Sequence, residues 1–456
     1  MHTSCTWTQD FLALQRLALL NPLHTGNTVP KMTYCCRPIC HVQVCIVTGG
    51  NAGIGFATAE LLAARGAHVV MACRSKERGQ AAATTLLRRV QPLPGCQLPT
   101  VEVMQVDMAS LASVREFCRE FEARHLPLHL VVANAGIMSP AQRLETEDGL
   151  EMQFQVNFLS HWLMVQRLLA QQRSRRAAAA AAGGQTSPYH HHHHHHHHSP
   201  AVAHIGSASP QGSSSSAAGG GGGNGLATPP SGTQGSSLVA SGEKAAVLRV
   251  KEGALDEVGS GGGGAAFGLR DDGTRVVMVT SLTHKAGILN WHDMQSRQAY
   301  DPFTSYGLSK LANALTATEL QRRFQAHAGD PQAWGQDSAV AVHPGLVETH
   351  LATNFFKNQG VVEAVPASAK LISGLVDAVG PLVMKSPANS ARVVAFAALA
   401  PAQQVAGRYI ADSRVAAASP AVSSPRLAKE LWEVAEQLTG EVTHESLRAA
   451  SQPGRS

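Results

Sequence analysis

The sequence contains no run of the roughly 18 to 20 uninterrupted apolar residues that crossing a bilayer requires, so no segment reads as a membrane span. A strong charge imbalance is absent as well. The net charge is +5 and the cations are scattered among acids, which leaves no groove able to follow a phosphate backbone and excludes nucleic acid as a partner. The eight cysteines have no regular spacing, and several lie in or beside apolar strand-like runs. That pattern excludes a disulfide framework and points to reduced thiols in an intracellular, reducing compartment. Cys35, Cys36 and Cys40 find no second ligand pair at zinc-like spacing, so no metal site is expected.

Two segments are set apart by what they lack. In the first forty positions Asp10 is the only acidic residue, and residues 1–41 read either as an unstructured leader or as a segment resembling a transit peptide for an organelle such as a chloroplast or mitochondrion. The protein is accordingly placed in the cytoplasm or in such an organelle. Residues 173–272 have almost no large apolar side chains, being built of Ala, Gly, Ser and Pro around the histidine run His190 to His198. Such a stretch cannot bury enough surface to offset its ordering entropy, so it is expected to be a disordered low-complexity insertion. The histidine run reads as part of that expansion rather than as a divalent-metal site. With residues 443–456 set aside as a tail, residues 42–172 and 273–442 remain, about 300 residues, which suits one domain.

Within that domain, strand-like and helical patterns alternate. VQVCIVTG is a strand, a glycine turn follows, and FATAELLAARG has helical spacing up to Gly66. HVVMACR, VEVMQVDM, LHLVVANAG, TRVVMVTS and SAVAVHPG read as further buried strands, with helical stretches between them. MQFQVNFLSHWLMVQRLL, SYGLSKLANALTATELQRRF and LAKELWEVAEQL read as helices. Alternation of this kind predicts an α/β fold: one doubly wound domain with a mostly parallel sheet and helices on both faces. The insertion falls between a helix and a strand, a surface position where added length costs little.

The chemistry-bearing residues sit at the strand ends. Between the first strand and the first helix lies T48-G-G-N-A-G-I-G55. A side chain at Gly49, Gly53 or Gly55 would keep the backbone from turning tightly, approaching a pyrophosphate or packing against the sheet, and the amides that open the helix would face phosphates. Thr48, Asn51 and Ile54 complete this candidate cofactor turn. Tyr306 and Lys310 lie one helical turn apart on the same face. An unperturbed phenol titrates near 10, and an adjacent ammonium is expected to favour its ionised form, as proton exchange beside a hydride transfer requires.

Together with Ser281, Asn157 and Asn134-Ala135-Gly136, these residues resemble the short-chain dehydrogenase/reductase family, whose hallmarks appear here in family order. The spacing T-G-x-x-x-G-x-G is that family's form of the glycine turn. IVTGGNAGIG, TSLTHKAGILNWHDM, GRYIADSRVAAASP and LAKELWEVAEQLTG look most like its retinol-dehydrogenase-like branch, kin to WW-domain oxidoreductases and protochlorophyllide reductases, over roughly residues 42–440 apart from the insertion. The resemblance implies a Rossmann-type domain and a nicotinamide cofactor. Tyr306 would be the general acid/base, Lys310 would also bind the nicotinamide ribose, Ser281 would donate a hydrogen bond to the substrate oxygen, and Asn157 would hold a water linked to Lys310. Asp107 would contact adenine, or cap the helix that follows it. Asn134, Ala135 and Gly136 would wall the adenosine side, and Pro344, Gly345 and Thr349 would lie along the nicotinamide ring. Relatives that use NAD carry an acid at the end of the second strand; here Cys73 stands there and Arg74 follows, a guanidinium suited to a 2′-phosphate, so NADP is expected over NAD. Residues 355–384 fall where the family places its substrate lid and are apolar, which implies a lipophilic alcohol or carbonyl: a retinoid, polyprenoid, steroid or lipid aldehyde. Two other functions stay open, a non-catalytic NADP-sensing interaction module and a protochlorophyllide-type reductase. Homodimerisation and peripheral membrane association stay open with them.

Overall fold

The computed structural model describes residues 43–138, 140–181, 248–249, 273–327, 337–345 and 385–441. The expected leader, the histidine run, most of the insertion, the lid at 355–384, Thr349 and the tail lie outside the described residues.

The first strand, β1 (Val44–Thr48), is buried at every position, as its unbroken apolar run VCIVT requires. Strands β2 (His68–Cys73), β3 (Thr100–Gln105), β4 (Leu130–Ala133), β6 (Arg275–Val279), β7 (Ser338–His343) and β8 (Tyr409–Ala411) join it in parallel. Two short strands run antiparallel at the edges, β5 (Leu248–Arg249) against β3 and β9 (Arg414–Val415) against β8. The order across the nine-stranded sheet is β5-β3-β2-β1-β4-β6-β7-β8-β9. The chain therefore winds outward from β1 to β3, then returns and continues from the other side of β1. The reversal opens a crevice at the carboxyl ends of β1 and β4, where ligands of open α/β sheets bind.

Helices cover both faces. One layer consists of α1 (Gly53–Ala63), α2 (Lys76–Arg89) and α6 (Pro387–Leu399), which bury Leu62, Leu86 and Val394 against Val47, Val69 and Val340. The other consists of α3 (Leu111–Ala123), α4 (Ser160–Ala181), α5 (Pro302–Ala326) and α7 (Pro425–Thr439), around Phe117, Trp162, Leu311 and Trp432. α7 is sealed by stacking: the Trp162 and Trp432 rings meet edge to face at 5.2 Å, and the Arg323 guanidinium lies 4.0 Å over Trp432.

Three features depart from the sequence reading. α4 continues past position 173, where the insertion was expected to begin, as far as Ala181. Alanine is the strongest helix former, and Arg176 anchors this extension through paired bonds of 2.9 and 3.1 Å to Asp337, a carboxylate that also accepts from the Thr274 amide. The Asn157 segment opens with one turn at Met152–Phe154 and then a π-helical stretch, Gln155–Leu159, before α4. Finally, α6 and the β8–β9 hairpin were not anticipated. Asp412 and Ser413 turn that hairpin with φ of 51° and 57°, a left-handed pair that Asn-Gly usually signals.

Among the described residues no helix is long and apolar enough to cross a membrane. Arg275 is buried, and among the described residues it has no carboxylate partner. Its guanidinium instead collects the carbonyls of Ala398 at 2.8 Å and Ala400 at 2.5 Å at the end of α6, and bonds Ser338 Oγ at 3.1 Å. It thereby satisfies the orphan acceptors of that helix end. Arg275→Met should lower the unfolding free energy by about 2–4 kcal/mol, as measured by urea denaturation, because several buried acceptors lose the Arg275 guanidinium together.

Candidate active site

The turn after β1 is shaped by what its glycines omit. Gly49 has φ of +66°, and a Cβ on Gly55 would lie 2.3 Å from the Gly49 carbonyl oxygen and 2.6 Å from Asn134 Nδ2. The turn therefore folds onto itself and onto the end of β4. Asn51, Gly53 and Ile54 are half-buried along it. Thr48 is wholly buried behind the turn and stitches β1 to β4: its hydroxyl accepts from the Asn134 and Ala135 amides at 2.8 and 2.9 Å, and its carbonyl accepts from Asn134 Nδ2 at 2.8 Å.

The α1 N-terminus differs from those of α2, α3, α5, α6 and α7. Ser75, Ser110, Asp301, Ser386 and Ser424 each place a side-chain oxygen on the first turns of α2, α3, α5, α6 and α7, whereas α1 has no side-chain cap and no acid in its first turn. Its amides are left to an anionic ligand. At the end of β2 the Cys73 thiol is buried beneath the Gly50 and Asn51 amides, and burial pushes it up to about 11, so it stays neutral. The Arg74 side chain is exposed beside it, with Arg78 exposed at the start of α2. An uncapped helix start and a cradle that a Cβ would fill fit a dinucleotide pyrophosphate. Asp107 is half-buried at the turn after β3. Its Oδ1 accepts from the Ala109 amide at 2.9 Å, and Ser110, not Asp107, caps α3.

The second cluster forms at the carboxyl ends of β4 and β6, around the first turns of α5. Tyr306 is 7% exposed, and the Ser281 hydroxyl beside it favours its ionised form. Lys310 Nζ lies 5.5 Å from the centroid of the Tyr306 ring and donates to the Val279 carbonyl at 3.3 Å. Asn157 is fully buried. Its Oδ1 accepts from the Ile137 amide at 2.8 Å, and its Nδ2 donates to Ile137 O and Ser309 Oγ, each at 3.0 Å. Gly136 is where these groups converge, since a Cβ there would lie 3.0 Å from Asn157 Oδ1 and 3.6 Å from Lys310 Nζ. Pro344 and Gly345 follow β7; Gly345 has φ of +101°, and the Lys385 stem fills the space its side chain would take.

The electrostatics differ from the expectation for this pair. Burial pushes the Tyr306 phenol up to about 12, against the Ser281 hydrogen bond that favours ionisation, and burial pushes the Lys310 ammonium down to about 8. Desolvation therefore decides both groups, and at neutral pH both carry their protons.

Several residues that organise the site carry no motif. A Cβ on Gly287 would lie 2.4 Å from the Gly307 carbonyl oxygen, so the link after Ser281 crosses α5 backbone against backbone. Thr280 Oγ1 donates to the Lys310 carbonyl at 2.7 Å, and Asn313 Nδ2 donates to Val279 O at 3.2 Å. A glycine inside a helix pattern and polar residues inside an apolar run were the only signals of these roles. Among the described residues no group of His, Cys, Asp and Glu could hold a metal ion.

The sequence is similar to known dehydrogenases. The family model described as short chain dehydrogenase matches residues 43–180. Polyprenol dehydrogenase of Mus musculus is 31% identical over 399 residues, covering 87% of this chain and 84% of its own length. Retinol dehydrogenase 14 of Homo sapiens is 26% identical over 409 residues, covering 88% of this chain and 87% of its own. In fold, a putative uncharacterised protein from Mycobacterium paratuberculosis superposes with a TM-score of 0.51 at 23% identity, over 90% of this chain and 98% of its own.

Two outcomes are expected of the free protein. Gly287→Ala should cost about 1–3 kcal/mol in thermal unfolding, because the methyl must push the link off α5. Burial holds the Lys310 ammonium at about 8 in the folded chain against its ordinary 10.5, so the unfolded chain binds more protons between those values. The stability of the wild type relative to Lys310→Met should therefore rise with pH from 8 to 10.5, by about 1 kcal/mol or more per unit, in denaturation curves recorded across that range.

Proposed function

The chain belongs to the short-chain dehydrogenase/reductase family, in its retinol-dehydrogenase-like branch, and is an oxidoreductase; from that premise we propose that it moves hydride between NADP and a lipophilic alcohol or carbonyl, with Tyr306 exchanging the proton. The observation that carries this reading is the buried Tyr306 phenol, with Ser281 beside it and Lys310 one helical turn later, at the carboxyl edge where the sheet reverses.

When bound, the nicotinamide supplies hydride exchange with the substrate carbon. Ser281 orients the substrate oxygen toward the phenol. In reduction, Tyr306 gives its proton to the oxygen that gains negative charge; in oxidation it must first become phenolate to take the hydroxyl proton. A phenol held at about 12 is stocked for donation, so the free site is set for reduction, and the Lys310 ammonium makes the phenolate less costly when oxidation runs. Asn157 holds the wall opposite Lys310 through Ile137. The 2′-phosphate is assigned to Arg74, with no carboxylate at Cys73 to repel it. The lipophilic substrate class is supported by the apolar residues 355–384 and by relatives named for polyprenol and retinol.

The test is NADPH oxidation by the full chain with a panel of retinoid, polyprenoid, steroid and lipid carbonyls. Tyr306→Phe should lower kcat by about 10²–10⁴-fold while NADPH affinity is kept. Arg74→Glu should move the preference toward NADH by at least about tenfold, as the lost phosphate contact would require. The oxidation rate should climb as pH rises above neutral while the reduction rate does not. Tight NADPH binding with no turnover on any carbonyl would instead favour the sensing-module reading.

A further inference from the structure

His161 is completely buried on α4, one turn beyond Asn157, and both ring nitrogens are engaged. Nδ1 lies 2.9 Å from the Asn157 carbonyl oxygen, and Nε2 lies 2.8 Å from Thr48 Oγ1. The protons along this path can be assigned from donor and acceptor capacity alone. A carbonyl only accepts, so Nδ1 carries the hydrogen. A neutral imidazole has only one, which leaves a lone pair on Nε2. The Thr48 hydroxyl must therefore donate to Nε2, and its oxygen is free to accept from the Asn134 and Ala135 amides, as observed. Its 3.3 Å approach to the Val132 carbonyl is the weaker alternative for that hydrogen. Burial holds the imidazole neutral, keeping its titration down at about 4.

We propose that His161 is a positioning residue that locks the cofactor cradle and the Asn157 turn to one another, with its Nε2 side setting the cradle and its Nδ1 side setting the turn. On the Nε2 side, Thr48 fixes the Asn134 and Ala135 amides, and Asn134 in turn packs where a Gly55 side chain would be. On the Nδ1 side, the Asn157 peptide sits in a π-helical stretch, a wide turn whose carbonyl direction a side-chain donor can set. Asn157 passes that orientation to Ile137 and, through Ser309 Oγ, to the Tyr306 carbonyl, which accepts at 2.8 Å. One imidazole thus reaches the cofactor turn in one direction and the first turns of α5 in the other. The effect on turnover rests on the proton-transfer role proposed for Tyr306; the effect on the cradle does not.

Asparagine and glutamine split the two halves. The asparagine amide nitrogen occupies the place of Nδ1 and can donate to Asn157 O without reaching Thr48. The glutamine amide oxygen reaches the place of Nε2 and can accept from Thr48 without serving Asn157 O. With the full chain, NADPH affinity would be read by fluorescence titration, kcat on the carbonyl turned over fastest, and folding by thermal unfolding. His161→Leu should lose about tenfold or more in both affinity and kcat, each buried hydrogen bond being worth roughly that factor. His161→Asn should keep kcat within about threefold and lose affinity; His161→Gln should keep affinity and lose kcat. Nitrogen-15 NMR of histidine-labelled protein, with the signal assigned by its absence from His161→Asn, should show the Nδ1–H tautomer. Parallel losses of affinity, kcat and melting temperature in all three variants would mean mere packing and overturn the proposal. So would unchanged kinetics, or the Nε2–H tautomer. If the wild type turns over no carbonyl, the affinity split and the tautomer still decide the question.

Discussion

Close approach of backbone to backbone is the constraint on which the site depends. At Gly55 the turn after β1 touches its own Gly49 carbonyl, at Gly287 the link after Ser281 rests on the Gly307 carbonyl, and at Gly136 the backbone gives room to the Asn157 and Lys310 side chains. At Gly55 and Gly287 a Cβ would stand closer than 2.5 Å to a backbone oxygen, a distance that no rotamer change relieves. The segment after Ser281 lies against α5 at Gly307, next to Tyr306. Remove any of these contacts and the side chains keep their chemistry but lose their mutual placement, on which proton exchange relies far more steeply than on residue type.

The second organising force is dehydration. Tyr306, Lys310, Asn157 and His161 all lie within the folded mass. Their ionisation follows burial before it follows any partner: the phenol rises, while the ammonium and the imidazole fall. Low dielectric raises the penalty for an unmet polar group, and the structure answers with shared acceptors and donors. Val279 O serves both Lys310 and Asn313, Thr48 Oγ1 serves two amides and an imidazole, and Arg275 serves the end of a whole helix. The site is held by the same hydrogen bonds that hold the sheet's carboxyl edge together.

Most of the fold was legible because both periodicity and composition spoke for it. VCIV, VVMAC and VVMV are unbroken apolar runs, and a sheet covered on both faces buries such runs. Asp412-Ser413 hid the β8–β9 hairpin, since it lacks the Asn-Gly cue for a left-handed pair. The alanines after Arg176 read as low complexity, although alanine is also what prolongs a helix once a distant carboxylate such as Asp337 anchors it. A local pattern cannot report an anchor that lies 161 positions away in the chain.

The site divides in the same manner. The sequence by itself determined which groups are available and in what order: the glycine turn at Gly49 to Gly55, Asn134-Ala135-Gly136, Asn157, Ser281, and Tyr306 with Lys310 at helical spacing, because turns and helix faces are local consequences of residue type. Only the tertiary structure decided that Gly136 is the meeting point of Asn157 and Lys310, that Gly287 and Gly307 press the Ser281 link onto α5, that Ser110 and not Asp107 caps α3, and that His161 joins two strands to a helix turn. It also decided the protonation of the phenol, reversing the sign expected from its neighbour alone. Desolvation and interatomic distance are properties of the packed chain, and no spacing along the sequence encodes either.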